Sequence, residues 1–358
     1  MNTLRACAAQ LNTMEVYDPK YLPAKALLSA NENPHDISKA LRSEIAAQIA
    51  LTPFNRYPDP LAHDLRKSIA AANGLDAKQV LVGNGGDELL FNLMLAWGGP
   101  GRKLLNVPPT FSVYAHNAAL TKTEIVDVWR KPDFKIDEER VLERVAQGDI
   151  DIVIITSPNN PTGDCAEERF IEKLLQTSDT LVLVDEAYGE FCSSSVLPLI
   201  KEHKNLAVLH TFSKAYSLAA IRLGYVFAHA EVIEALIKVR QPYSVNAVSQ
   251  AIGRCVFEHR EKFVQEIALI NEQRDTLYSE LSTMENVKVY QSAANFLLIK
   301  VENAHTIWEK LYERGVLVRD FSTTPGLANC LRVSIGTPNE NALFLNELKA
   351  LLENREAR

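Results

Sequence analysis

Cysteine is scarce in this sequence: Cys7, Cys165, Cys192, Cys255 and Cys330 are the five among 358 residues. The number is odd, no two are neighbours in the chain and no Cys-x-x-Cys occurs, which excludes a disulfide scaffold and a zinc ribbon. The eight histidines are scattered without a His-Glu-x-x-His pair, so no metal is expected. No apolar run approaches the roughly 18 residues that cross a bilayer, which removes a membrane partner. The opening stretch Met1 to Gln10 has one basic residue and no apolar core for a signal peptide, so the expected location is cytoplasmic. Basic charge is in deficit as well. Lys plus Arg is 38 against 45 Asp plus Glu, a net charge of −7, with no dense basic stripe. A nucleic-acid partner is therefore not expected. Repeats and low-complexity tracts are absent, which excludes a solenoid.

What remains is the composition of a folded protein, 47% hydrophobic and 23% charged. The length suggests two domains at roughly 150 residues each. The stretch to about Pro60 is rich in Pro and Asn and reads as an arm with one helix near Ile37–Ala50. From Ala62, apolar strands alternate with amphipathic helices. Strands are expected at Val80–Val82, Lys103–Val107, Thr123–Val128, Asp151–Thr156, Thr180–Asp185, Leu206–Thr211 and Leu223–Ala228. Helices are expected after Gly83 up to Trp97 and near Phe111–Leu120. Several of the strands are apolar throughout, as in a mainly parallel sheet clad by helices on both faces. Helical periodicity then dominates from Glu231 to Met284. Short strands follow at Val287–Tyr290, Phe296–Lys300, Val316–Val318 and Leu331–Ile335, with helices at Ala304–Arg314 and Asn339–Asn354. The expected fold class is α/β, with a smaller α+β unit. The expected division is residues 1–50 as an arm and part of the small unit, 51–255 as the large domain and 256–358 as the C-terminal small domain.

Ligands of open α/β sheets sit beyond the carboxyl ends of the strands, so polar residues following the apolar runs are the candidates. Gly83-Asn84-Gly85-Gly86-Asp87-Glu88 leaves a strand and opens a helix. Its free N–H groups suit an anion, although a plain tight turn has the same composition, and neither a P-loop nor a full Gly-x-Gly-x-x-Gly is present. Ser157-Pro158-Asn159-Asn160-Pro161-Thr162-Gly163 is a stiff turn that can fix an Asn amide. Asp185 ends its strand where a carboxylate can pair with a protonated heterocycle nitrogen, and Tyr188 can reach a phenolic oxygen of the same ligand. A helix N-cap is the competing role for Asp185. Lys214, set among Thr211, Phe212 and Ser213, suits a Schiff base, and Arg222 with Thr211 can close a phosphate site. Together these parts suit one ligand, pyridoxal 5′-phosphate.

Asn160-Pro161-Thr162-Gly163, Asp185-x-x-Tyr188 and Ser213-Lys214 with Arg222 resemble the fold type I pyridoxal-phosphate enzymes of the aspartate-aminotransferase superfamily, in order and interval over most of the chain. Finer features resemble the histidinol-phosphate aminotransferases: Leu28 to Pro34, Asn55-Arg56-Tyr57-Pro58-Asp59, Pro108-Pro109-Thr110-Phe111, Pro242 to Asn246, Gly315 to Asp320 and Leu331 to Thr337. Gly86 stands where Ser is common in that family, Phe111 where Tyr is common and Ser244 where Asn is common. The resemblance implies Lys214 as the cofactor-bearing lysine and Asp185 as the partner of the ring nitrogen. It implies Asn160 and Tyr188 at the ring hydroxyl, and Phe111 stacked on the ring. Gly86, Asp87, Thr211, Ser213 and Arg222 would hold the phosphate. It further implies a homodimer in which Tyr57 reaches the neighbouring subunit's cofactor, and Arg332 as the clamp for a substrate anion. Arg319 is a candidate second cation, with an ion pair to Asp320 as its competing role. The implied activity is a two-half transamination of histidinol phosphate with 2-oxoglutarate, glutamate with imidazole acetol phosphate being the reverse pair. Aromatic-amino-acid aminotransferases and decarboxylases of phosphorylated amino acids share much of the pattern.

Overall fold

Residue-by-residue alternation of two apolar sets builds the larger sheet. The computed structural model describes residues 22–356, with residues 7, 8, 11 and 14 before them, and side chains to residue 353. Most of the opening stretch from which no signal peptide was expected therefore lies outside the described residues. The strands are β1 (Ala26–Leu28), β2 (Val80–Gly83), β3 (Lys103–Asn106), β4 (Glu124–Asp127), β5 (Ile152–Thr156), β6 (Leu181–Asp185), β7 (Leu206–Thr211), β8 (Gly224–Ala228), β9 (Lys288–Val289), β10 (Phe296–Lys300), β11 (Val316–Asp320) and β12 (Cys330–Ser334). The helices are α1 (Lys39–Ala50), α2 (His63–Ala72), α3 (Gly85–Trp97), α4 (Val113–Thr121), α5 (Glu138–Val145), α6 (Glu168–Thr177), α7 (Ala230–Val239), α8 (Ala247–Glu258), α9 (Val264–Ser282), α10 (Ala304–Glu313) and α11 (Pro338–Glu356).

The seven-stranded sheet runs β2-β8-β7-β6-β5-β3-β4, with β8 antiparallel to both neighbours and the other pairs parallel. Val153, Ile155, Val182, Val184 and Val208 face one core with α1, α2, α5, α6 and α8. Ile152, Ile154, Leu181, Leu183 and Leu209 face the other with α3, α4 and α7. Alternate residues of a strand point to opposite faces, so an unbroken apolar run is what a sheet covered on both sides requires. α1, expected within the arm and small unit, packs Leu41 and Ile45 into the first of these cores. Ser38 caps it, its Oγ accepting from Leu41 N at 3.3 Å.

The five-stranded sheet runs β1-β11-β12-β10-β9. β1 pairs in parallel with β11, Ala26 opposite Val316, and the remaining pairs are antiparallel. Its core joins Leu28, Phe296, Leu297, Val316 and Val333 to Ile270 and Leu277 of α9, Ile307 and Leu311 of α10, and Phe344 and Leu348 of α11. The fold is thus α/β, a large mostly parallel sheet between helices plus a smaller α+β unit. Two features differ from the sequence expectation. β1 is a strand not expected by itself. The helical run from Glu231 to Met284 is broken between Val239 and Ala247 and again before Val264. Pro242 disfavours a helical residue before it, and Asn246 restarts the chain as an N-cap, accepting from Ser249 N at 2.8 Å.

Candidate active site

The carboxyl ends of β5, β6 and β7, the start of α3 and the chain leaving β1 converge on one polar cluster. At its centre Asp185, buried to 3% exposure, ends β6. Its Oδ2 accepts from Tyr114 Oη at 2.7 Å and its Oδ1 from Ala187 N at 3.0 Å. Burial pushes its pKa up to about 6 against the pull of those two donors. Tyr114 is itself pinned, 2.8 Å from Thr156 Oγ1 on β5. Phe111 lies edge-on to Tyr114 with ring centroids 5.7 Å apart, one turn earlier in the chain.

Lys214 follows β7. Its Nζ donates to Ala30 O at 2.8 Å and stands 5.8 Å from the centroid of Tyr188. Burial first, and then the Arg332 guanidinium, lower its pKa to about 8. An amine so placed holds a larger neutral, nucleophilic fraction near neutral pH than a surface lysine. Tyr188 is buried, its Oη accepting from Asn31 Nδ2 at 2.9 Å and its ring edge-on to Phe296. Asn31, in the left-handed region at φ 54°, is locked by Ser334 and by Asn295 Nδ2, which donates to its carbonyl at 3.0 Å. Arg332 reaches Asn160 Oδ1 with one nitrogen and Ser29 O with the other, at 2.6 Å. The small unit therefore fixes an Asn of the large unit.

The start of α3 forms the anion end. Its N-cap residue, Asn84, makes no side-chain cap, so the first helical N–H groups are not taken by a capping side chain. Gly85 sits at φ +79°, and a Cβ on Gly224 would come within 2.7 Å of Gly86 N. Only glycine leaves the room for that approach of β8 to the helix start. Arg222, also at positive φ, donates to Asp87 Oδ2 at 3.1 Å and to Ala219 O at 3.2 Å. Thr211 Oγ1 accepts from Ser213 N at 3.1 Å. Below the strand ends, His210 lies between Glu186 and Glu190. Burial opposes its charge, yet the two carboxylates hold its pKa up at about 10.

The contacts link Phe111 to Asp185 through Tyr114, Asn160 to Arg332, Arg332 to Tyr188 through Phe296, Tyr188 to Lys214, Arg222 to Asp87 beside Gly86, and Ser213 to Thr211. Arg319 lies directly opposite Arg332 in the β11–β12 pair, and both guanidinium groups approach the Phe321 ring, at 6.0 and 5.5 Å. The Asp320 carboxylate is engaged by His305 Nδ1 at 2.7 Å and by Ser322 N at 2.8 Å. Tyr57 stands apart, 81% exposed and stacked on Tyr243. Asn31 lies within the Leu28 to Pro34 stretch but was given no role in the sequence reading, and Tyr114 was not singled out. The position of Tyr114, three residues after Phe111 in the first turn of α4, was the available signal.

The donor set fits pyridoxal phosphate. It combines an uncapped helix start beside an arginine, a buried carboxylate with no cation bonded to it among the described residues, and an amine of lowered pKa. Such a sheet, with a lysine after one strand and an aspartate at the end of its neighbour, defines a fold type I transferase. The chain belongs to the class I and II aminotransferases, whose family description, aminotransferase class I and II, matches residues 23–348. It is 39% identical over 353 residues to histidinol-phosphate aminotransferase 1 of Carboxydothermus hydrogenoformans, covering 98% of this chain and 100% of the relative. To the histidinol-phosphate aminotransferase of Chlorobium phaeovibrioides it is 38% identical, over 90% of each chain. The fold is shared with the crystal structure of histidinol-phosphate aminotransferase from Sinorhizobium meliloti in complex with pyridoxal-5′-phosphate. The TM-score is 0.88 at 22% identity, over 98% of this chain and 99% of that one.

Proposed function

We propose that this aminotransferase transfers the amino group of L-histidinol phosphate to 2-oxoglutarate, with pyridoxal 5′-phosphate as cofactor, in histidine biosynthesis. The reverse pair is imidazole acetol phosphate with glutamate. The observation that carries the substrate choice is the similarity to histidinol-phosphate aminotransferases over nearly the whole of both chains. When bound, the cofactor supplies the electron sink for the substrate carbanion. The chain supplies the rest. Lys214 Nζ carries the cofactor and is the base that takes the substrate Cα proton and returns it, a task suited to an amine whose pKa is about 8. The Asp185 carboxylate offers the negative charge that keeps a ring nitrogen protonated. Asn160 and Tyr188 orient the ring hydroxyl, and Phe111 covers the ring face. Gly86, Asp87, Thr211, Ser213 and Arg222 take the cofactor phosphate.

Arg332 and Arg319 are the substrate cations. Like charges directly opposite on two strands repel. An anion bound between them offsets that repulsion, and a guanidinium fork matches carboxylate and phosphate alike. The working form is a cytoplasmic homodimer in which Tyr57 completes the neighbouring site. Leu51, Phe54 and Tyr57 support it, exposed at 79, 75 and 81% within one short segment. No helix among the described residues is long and apolar enough to cross a membrane.

The test is a panel of amino donors with the cofactor-loaded protein, reading glutamate from 2-oxoglutarate and carbon dioxide in parallel. Histidinol phosphate should give the highest kcat/KM and no carbon dioxide. A preference for phenylalanine or tyrosine would make the protein an aromatic aminotransferase, and carbon dioxide from a phosphorylated amino acid would make it a decarboxylase. Lys214→Ala should lose nearly all turnover, and borohydride should fix the cofactor on Lys214 alone.

A further inference from the structure

Two of the five cysteines meet although 27 residues separate them in the chain, their sulfurs 3.0 Å apart. Cys165 follows the loop that carries Asn160. Cys192 follows the short turn after Tyr188. Both are free thiols and both are partly exposed, whereas Cys255 and Cys330 are buried. Cys165 also lines a cleft of about 750 Å³, with Asp133, Lys135, Arg274 and Tyr290 among its walls, which is wide enough to admit small solutes. We propose that Cys165 and Cys192 are a redox-active pair, which hydrogen peroxide converts to an intrachain disulfide and a thiol reductant restores.

The surroundings favour Cys192 as the attacking sulfur. The hydrogen bond it shares with Cys165 and the main-chain N–H groups of Ser194 and Ser193 draw its pKa down to about 5 against burial. The Ser194 hydroxyl is 3.6 Å away. The same contact, and then burial, push the Cys165 thiol up, so it stays protonated. A low-pKa, solvent-reached thiolate beside a resolving thiol is the arrangement that oxidises selectively. The Cys192 thiolate attacks one peroxide oxygen, breaking the O–O bond, and hydroxide leaves and becomes water. The sulfenic acid so formed is attacked by the Cys165 sulfur. The S–S bond forms, the sulfenic oxygen departs as a second water, and the two electrons lost by the sulfurs reduce the peroxide. From 3.0 Å, the sulfurs close by only about 1 Å to reach a bond of about 2.05 Å. The bond would tie the Asn160 loop to the Tyr188 loop.

The experiment is peptide mapping of the cofactor-loaded wild type after hydrogen peroxide, with free thiols alkylated before digestion. The expected result is the loss of two titratable thiols and one cross-linked species joining the Cys165 and Cys192 peptides, both reversed by dithiothreitol. In Cys192→Ser, Cys165 should remain alkylatable. In Cys165→Ser, Cys192 should stop at a sulfenic acid that dimedone traps. Retention of both thiols in the wild type would overturn the proposal, as would oxidation of Cys192 without the cross-link, or a cross-link to Cys7. The wild-type map decides even if a serine variant folds poorly.

Discussion

Asp185 carries opposite requirements for stability and for chemistry. Its side chain is buried, and in the cofactor-free protein its pKa rises from 3.8 to about 6, chiefly through desolvation. The folded state therefore holds a proton between those values that the unfolded chain has lost. Stability that is full below pH 4 is lost as pH rises through about 6, by up to about 3 kcal/mol at one pKa unit per 1.4 kcal/mol. Asp185→Asn stays neutral and keeps an acceptor for Tyr114. The cofactor-free variant should unfold at higher denaturant than the wild type above pH 6, and the difference should vanish near pH 4. Its kcat should nonetheless fall on the order of a hundredfold, because an amide cannot balance a cationic ring nitrogen. Denaturant titrations at several pH values and steady-state rates check the two halves, and a loss of only severalfold in rate would remove the role. The positions of Asp185, Lys214 and Asn160 were legible in the sequence because each is polar and ends a buried apolar run or comes within four residues of one. Tyr114 and Asn31 were not. An aromatic inside a helix reads as core, and Asn31 takes its meaning from Tyr188, 157 residues away.

At the scale of elements, strands buried on both faces announced themselves. β5, β6 and β10 lie where their apolar runs are. β1 did not, since a strand of three residues has no usable period and its partner β11 lies at the far end of the chain. The contact of Cys165 with Cys192 was equally hidden, because each cysteine takes its place from a different strand-following loop. The β11–β12 register carries the substrate prediction. Arg332 is held by Asn160 and Ser29, which suits a rigid fork needed by both substrates. Arg319, its cross-strand neighbour, is half-buried and edges the same ring. Arg319→Ala should weaken kcat/KM for histidinol phosphate by roughly 1.5–3 kcal/mol, the range of a lost charge-assisted bond, and glutamate far less. Arg332→Ala should impair both. Equal losses for the two substrates in Arg319→Ala would remove that residue from phosphate selection.

At the scale of the whole molecule, the proposed dimer turns on Tyr57, which is exposed on the surface of its own chain. Tyr57 makes its ring contact with Tyr243, itself 43% exposed, at a centroid distance of 4.7 Å. A tyrosine so exposed is open to a second copy of the chain, which can bring its cofactor phosphate to it. If it acts that way, each site borrows Tyr57 from its neighbour and Lys214 from its own chain. Two variants then complement. Lys214→Ala lacks the amine but has an intact Tyr57, and Tyr57→Phe has the amine but lacks the hydroxyl. A heterodimer of the two holds one site with both defects and one with neither. Mixing the two under subunit exchange should raise activity above that of either parent, toward one quarter of the wild-type value at equal amounts if half the dimers are mixed and each has one good site. The size of the gain follows from random pairing alone, so it can be read against the mixing ratio. An activity that merely averages the parents at every ratio would mean that Tyr57 serves its own subunit or none.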